Sequence, residues 1–338
     1  MEENSQTISK RKHRQRVKLI VMIASAFLLG ILIGKIIGNS NPETKTKGPD
    51  VVYAENKETI DILEEDTTEQ EEPSTEELTE KEKTEPDYKI PAGLDRDEIE
   101  KLVIEKPVDY SFYQAVAKLE ELAAVDERYA AIVAQKEIYP EKLLINLVNN
   151  PELLSFVSGY PADAPADKTI TEEELSQKCP LFLQWDKRWG YLAYGDNSNI
   201  SISGCGPTAL SMVVVGLTGN AEATPGAIAD FAMHNGYFMS GTGTMWKLMT
   251  DGAAHYGLIS EQIDVEQELI DQCLQKDGMV ICSMSAGDFT AVGHFIVIYG
   301  SDEEGYIIND PFCVYRSNQK WSFEQLKKQM KAAWTLFY

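Results

Sequence analysis

Apolar positions recur in three different patterns along this chain. From Leu19 to Gly34 they are nearly continuous and carry no charge, and Ile36, Ile37 and Gly38 extend the run past Lys35. Between Asp95 and Gly159 they return every three or four residues. Val116, Leu119, Leu122 and Ala123 make one stripe, Leu143, Leu144, Leu147 and Val148 a second, and Leu153, Leu154, Phe156 and Val157 a third. That spacing predicts short amphipathic helices, interrupted at Pro140 and at Asn150-Pro151, where the residue before proline is pushed out of the helical region. Acids in Asp95-Arg96-Asp97-Glu98 suit a first helical turn. Farther on, Pro207 to Gly216, Pro225 to Asn235 and Gly243 to Tyr256 also read as helices. The period then shortens. Gly278 to Met284, His294 to Tyr299 and Tyr306 to Ile308 are Val/Ile/Tyr-rich runs bounded by Gly and Asp, the mark of strands. Phe323 to Lys331 reads as a helix and Trp334 to Tyr338 as a last strand. Helices followed by strands predict an α+β fold with an antiparallel sheet.

The first pattern is a membrane signal. Counted over 19–38 it is about 20 residues, or roughly 30 Å as a helix, enough to cross the hydrocarbon core. Lys10, Arg11, Lys12, Arg14, Arg16 and Lys18 precede it. By the positive-inside rule residues 1–18 are a cytoplasmic tail, 19–38 a transmembrane signal-anchor, and everything beyond Gly38 is extracytoplasmic. A cleaved signal peptide is the competing reading; no convincing cleavage site follows the apolar run, which favours an uncleaved anchor.

Charge divides the rest. The 338-residue chain carries a formal charge of -23. Between Glu55 and Asp87 there are 15 acidic residues against 3 basic ones, about half of the whole excess. Such a stretch repels itself and lacks apolar surface to offset chain entropy, so 39–90 is expected to be a disordered acidic linker that spaces later parts from the membrane. A helical region over 91–170 follows, closed by the Pro-rich Tyr160-Pro161-Ala162-Asp163-Ala164-Pro165. The last domain covers 174–338. The acidic balance speaks against nucleic acid as a partner, since phosphates repel it.

Five cysteines, Cys179, Cys205, Cys273, Cys282 and Cys313, are widely spaced and form no CxxC pair, which speaks against a zinc ribbon or a thioredoxin-type motif. Cys282, within Met279-Val280-Ile281-Cys282, reads as a buried strand residue. Cys205 differs. In Ser203-Gly204-Cys205-Gly206-Pro207 it stands where a helix begins, and the free N–H groups and positive dipole end there favour a thiolate. His294 opens an apolar strand after Gly293 and is the default base; His234 and His255 sit at expected helix ends and His13 in the cytoplasmic tail. A hairpin through Asp302-Glu303-Glu304-Gly305 brings the end of the next strand, Asn309-Asp310, beside the start of the His294 strand. Asn309 and Asp310 point to opposite faces, so only one of them can orient the imidazole.

Cys, His and Asp on a helix start, a strand start and a strand end follow the chain order of papain-like peptidases. More specifically, the chain resembles the peptidase family C39-like group, in a bacterial, membrane-anchored form without a transporter. The resemblance rests on Phe182-Leu183-Gln184-Trp185-Asp186-Lys187-Arg188-Trp189-Gly190, Gly204-Cys205-Gly206-Pro207-Thr208-Ala209-Leu210, Gly293-His294-Phe295-Ile296-Val297-Ile298 and Ile308-Asn309-Asp310-Pro311. The helical stretch with Ile138-Tyr139-Pro140 and Asn149-Asn150-Pro151-Glu152 also looks like the region that often precedes such domains. The resemblance implies a papain-like fold and a catalytic set of Cys205, His294 and Asp310. It implies a glutamine that donates to the oxyanion beside the Cys205 N–H, and Gln184 matches the family's Gln-x-Asp-x-x-Trp segment. Related enzymes place that glutamine about six residues before the cysteine, where this chain has Asn199, so Asn199 is the alternative donor. Asp186 and Trp189 are read as fastening their loop. The implied activity is thiol-dependent hydrolysis of amide bonds in a peptide or protein substrate, with no metal or organic cofactor. A peptidoglycan stem-peptide amidase or endopeptidase is a second reading, and a catalytically silent binding or scaffold domain a third.

Overall fold

The computed structural model of the protein describes residues 88–162 and 168–338. The basic tail, the expected membrane span 19–38 and the acidic linker up to residue 87 lie outside the described residues. Among the described residues no helix is long and apolar enough to cross a membrane.

Helices come first, and their starts are set by local capping. Asp95 accepts from the Glu98 N–H at 3.2 Å and opens α1 (Arg96–Ile99). Ser111 and Gln114 form a reciprocal capping box at the start of α2 (Phe112–Leu122), and Asp126 caps α3 (Glu127–Ala134). A 3-10 turn ends before Pro140, which leads directly into α4 (Glu141–Asn149). Asn150 caps a further 3-10 turn, Pro151–Leu153, that runs on into α5 (Leu154–Ser158). α6 (Glu172–Leu175) follows. Leu143, Leu144, Leu147, Leu153, Phe156 and Val157 are all buried, as their spacing predicts.

The short α7 (Ile200–Ser203) leads into α8 (Cys205–Thr218), a helix buried over most of its length. α9 (Pro225–His234) starts at a Thr224 cap with proline in its first turn. The helix expected over Gly243–Tyr256 is broken up rather than continuous. Instead β1 (Phe238–Met239) and β2 (Gly243–Thr244) make a small hairpin, followed by a 3-10 turn at Trp246–Met249 and α10 (Asp251–His255). At the expected start the reason is backbone geometry: Gly243 has a φ of 92°, and Gly241 in the turn before it 76°, the left-handed region that glycine adopts cheaply and a right-handed helix cannot use.

The sheet is entirely antiparallel. Its strands are β3 (Ile259–Ile263), β4 (Met279–Ser285), β5 (Gly293–Asp302), β6 (Gly305–Asn309), β7 (Lys320–Trp321) and β8 (Met330–Phe337), in the spatial order β3-β8-β4-β5-β6-β7. Three helices are interleaved: α11 (Gln267–Gln275), α12 (Val314–Ser317) and α13 (Phe323–Lys327). The helix expected over Phe323–Lys331 is therefore cut short, because Met330 already belongs to β8. Strand alternation gives the sheet two buried faces. Met279, Ile281, Phe295, Val297 and Trp334 pack toward α8, in one cluster with Phe182, Trp185 and Trp189. Val280, Cys282, Met284, Ile296 and Ile298 pack toward α11 with Ile270 and Cys273. The first cluster also takes in Leu119, Tyr129, Ile132, Leu143, Leu147 and Phe156, so the N-terminal helices and the C-terminal part share one core.

Candidate active site

Helix α8 begins at Cys205, with Gly204 as its N-cap residue. The first N–H groups of a helix have no partner within it, so those of Cys205 and Gly206 are donors beside the sulfur. Pro207 lies in the first turn, where its missing N–H costs nothing. Cys205 is half-buried, and the other four cysteines are buried. Gly206 is required for packing here. A Cβ at that position would come within 2.6 to 2.8 Å of three side-chain atoms of Thr244. The hairpin β1–β2 thus lies directly on the start of the cysteine helix, and Thr244 Oγ1 shares a 2.7 Å hydrogen bond with the Tyr194 hydroxyl.

His294 stands at the start of β5. Its Nε2 is 2.6 Å from Asp310 Oδ1, and the Cys205 thiol is near enough to act on the ring electrostatically. The structure therefore brings His294 and Asp310 into direct contact, with Cys205 in their neighbourhood. The antiparallel pairing of β5 with β6 explains how: Val297 is opposite Asn309, so residue 310 comes out toward the beginning of β5. Asn309 faces the other way. Its Nδ2 donates to the backbone oxygens of Cys179 and Pro180, and its Oδ1 accepts from Lys89 Nζ. His234 and His255 are exposed, the latter stacked on Phe231 at 4.3 Å.

Burial alone pushes the His294 imidazolium to lower pKa. The Asp310 carboxylate, by charge and hydrogen bond, together with Cys205, more than reverses this and raises the group to about 9. The imidazolium is thus the form held at neutral pH. The linkage sign follows: folding stability from the charged ring is complete below about 6.5 and is lost as pH rises through about 9. In Asp310→Ala the remaining influence of burial should take the ring below its ordinary value. Chemical denaturation between pH 6 and 10 is expected to show a fall in stability for the wild type that is largely absent in Asp310→Ala. An equal fall in both would separate Asp310 from the titration.

Asp310 is fully buried and its polar atoms are all engaged. Oδ1 also accepts from the Phe312 N–H at 2.8 Å, Oδ2 lies 3.5 Å from Arg316 Nη1, and its own N–H donates to Ser317 Oγ at 2.8 Å. Neither Arg316 nor Ser317 stands out in the sequence, where both look like part of a loop after a turn-forming Asn-Asp-Pro. The only signal was an arginine six residues beyond a buried acid, which is visible as such only once burial is known.

Both candidate oxyanion donors border α7, the turn that leads into Cys205. Gln184 is buried; its Nε2 donates to the Ser201 carbonyl at 2.8 Å, and its Oε1 has no partner among the described residues. One N–H of that amide remains uncommitted by this bond. Asn199 Oδ1 accepts from the Ile202 N–H and the Ser201 hydroxyl, so it caps α7. Asp186 and Trp189 fasten their loop: Asp186 receives Arg188, which also grips Glu174, and Trp189 Nε1 donates to the Leu183 carbonyl at 2.8 Å. The loop is pinned to the Asp310 turn as well, by the Gln184 N–H to the Pro311 carbonyl and by Trp185 Nε1 to the Phe312 carbonyl.

Residues 176–338 match the Peptidase_C39 like family. The match takes in Gln184, Cys205, His294 and Asp310 and excludes the helices α1 to α6. Among solved structures, the chain is similar to the peptidase domain of Streptococcus ComA, a bi-functional ABC transporter involved in a quorum-sensing pathway. The identity is 20% and the TM-score 0.32, over 40% of this chain and 91% of that one. It is also similar to a Bacillus anthracis protein described as a C39-like peptidase, with 15% identity and a TM-score of 0.29 over 51% of this chain and 98% of that one. No curated protein matches the chain.

Proposed function

We propose that this protein is a cysteine peptidase that cleaves amide bonds outside the cytoplasm, anchored to a bacterial membrane by residues 19–38. The observation that carries the reading is the buried 2.6 Å contact of His294 Nε2 with Asp310 Oδ1 beside a half-buried cysteine at a helix start. In this reading the Cys205 sulfur attacks the carbonyl carbon of the scissile amide. His294 holds the proton of the thiol and gives it to the leaving amine. Asp310 fixes the ring, so that Nδ1 is the nitrogen that serves Cys205, and stabilises its positive form. Charge developing on the carbonyl oxygen is met by the Cys205 N–H and by a side-chain amide, Gln184 or Asn199. Water then hydrolyses the acyl-enzyme with His294 acting in reverse.

The sequence features that favour a wall substrate are the anchor and the long acidic spacer. Incubation of the purified chain with a panel of peptides and with isolated peptidoglycan tests the reading. New amino groups from either substrate, lost in Cys205→Ala, are the expected result; release from peptidoglycan alone would narrow the substrate to stem peptides. No release from either, by a chain whose fold is intact, would leave a silent scaffold domain. Topology is tested separately: protease added to intact cells should free a soluble C-terminal fragment, and full protection of that part would overturn the external placement.

A further inference from the structure

Outside the cysteine, histidine and aspartate, a buried chain of charges joins the N-terminal helices to Asp310. It starts at Glu152, which is only 3% exposed. In sequence Glu152 follows Pro151 and resembles an ordinary acid in a first helical turn. In the structure its carboxylate serves another element. The N–H groups of Val314 and Tyr315 donate to its two oxygens, each at 2.8 Å, and Asn150 Nδ2 adds a third donor at 3.2 Å. Val314 and Tyr315 are the first residues of α12, and their N–H groups have no partner within that helix.

Helix α12 carries both side chains that grip Asp310. Ser317 Oγ accepts the Asp310 N–H, and Arg316 faces Oδ2 while Oδ1 goes to His294. Arg316 is itself buried and also reaches the carbonyls of Phe289 and Glu105 at 3.4 Å each. A second tie runs beside it, from Asn150 Nδ2 to the Phe312 carbonyl at 2.7 Å. The turn that presents Asp310 is therefore held from the N-terminal helices at two points. A half-ångström drift of Asp310 is enough to lengthen a 2.6 Å charge-assisted hydrogen bond beyond its strong range.

We propose that Glu152 is a positioning residue for the His294–Asp310 pair, acting through α12 and Arg316, which makes the N-terminal helical region a working part of the active site. The inference rests on the peptidase reading of Cys205, His294 and Asp310. The titratable or charged groups around the pair and its support are Cys205, Arg316, Glu152, Cys313 and Tyr88. Burial raises Glu152, opposed by the N–H groups it accepts.

Two variants of the full chain test the proposal, Glu152→Gln and Arg316→Gln, with selectively 15N-labelled histidine to follow the ring of His294 and iodoacetate as the thiol probe. They must be used together, because a bare field effect moves them in opposite directions. Loss of a carboxylate lowers a nearby imidazolium pKa, whereas loss of a guanidinium raises it. Loss of positioning lowers it in both, since Asp310 lets go of the ring. The expected result is a downward shift of about one unit or more in each variant. The rate of Cys205 carboxymethylation at pH 8 should fall about twofold for a shift of one unit and about tenfold for a shift of two, as fewer rings remain charged to draw in the anionic reagent. An unchanged or raised His294 titration in folded Arg316→Gln overturns the proposal. So does failure of both variants to fold, which would assign the network to stability alone. If the wild-type thiol shows no His294-dependent reaction with iodoacetate, the peptidase reading itself fails, an outcome distinct from either of these.

Discussion

A neutral alkylating reagent should modify the native chain at Cys205 and leave the other four thiols intact. Burial decides this. Cys179, Cys273, Cys282 and Cys313 are between 0% and 4% exposed. Burial also pushes Cys179 up to about 12 and Cys273 to about 11, and raises Cys282 and Cys313 strongly. A thiol held near 11 has only about one molecule in a thousand ionised at pH 8, and the thiolate is the nucleophile. These four sites therefore react only through opening of the fold, whereas Cys205 reacts from the native state. Peptide mapping after a short exposure should find one labelled cysteine. Cys205→Ala should remove the label together with all amide hydrolysis; deleting the nucleophile of a comparable catalytic set costs on the order of 10^6-fold in turnover. Labelling of Cys179 or Cys313 at a rate equal to Cys205 would refute the assignment. The reaction should slow in His294→Ala, because the base proposed to take the thiol proton is gone.

The parts of this site that were legible in the sequence share one property: each is specified by its near neighbours. Gly204-Cys205-Gly206-Pro207 encodes a helix start, and Gly293-His294 followed by an apolar run encodes a strand start. A hairpin with a short turn fixes where the end of one strand lies relative to the start of the other, which places Asn309-Asp310 near His294. The choice between Asn309 and Asp310 was legible only through the family resemblance, not from the strand pattern. Alternation says that they face apart, but only the packing of Asn309 against Cys179 and Pro180 decides which faces His294. Glu152 and Arg316 were hidden for a stronger reason. The Glu152 contacts with α12 span more than 160 residues of sequence, and no local pattern marks a carboxylate as the partner of N–H groups so far away. Likewise β2 was hidden at the start of a run whose Met245, Leu248 and Met249 have helical spacing; the positive φ of Gly243 and its pairing with Met239 keep that start out of a helix.

The same long-range contacts predict that a fragment of residues 174–338 will not fold alone, although the family match covers nearly all of it. Phe156 stacks on Tyr191 with ring centroids 4.2 Å apart, and the Tyr191 hydroxyl donates to the Phe156 carbonyl. Removing that ring alone exposes core surface whose loss typically costs about 3–5 kcal/mol. Leu143, Leu144 and Leu147 are fully buried in the same cluster as Phe182 and Trp189, so the cut opens the core along a whole face. Polar groups suffer as well: the N–H groups of Val314 and Tyr315 lose Glu152, and Arg316 loses the Glu105 carbonyl. At the chain's entry Lys89 goes too, with its paired bonds to the Asn318 amide at 2.7 and 2.9 Å and its contact with Asn309. The native state of a domain is ordinarily favoured by only about 5–15 kcal/mol, less than these losses combined. A fragment of residues 88–338 should therefore melt in one cooperative transition with dispersed amide resonances, and 174–338 should show neither. A cooperative transition of 174–338 at the same midpoint would mean that the N-terminal helices are an attachment and that the core divides at residue 174.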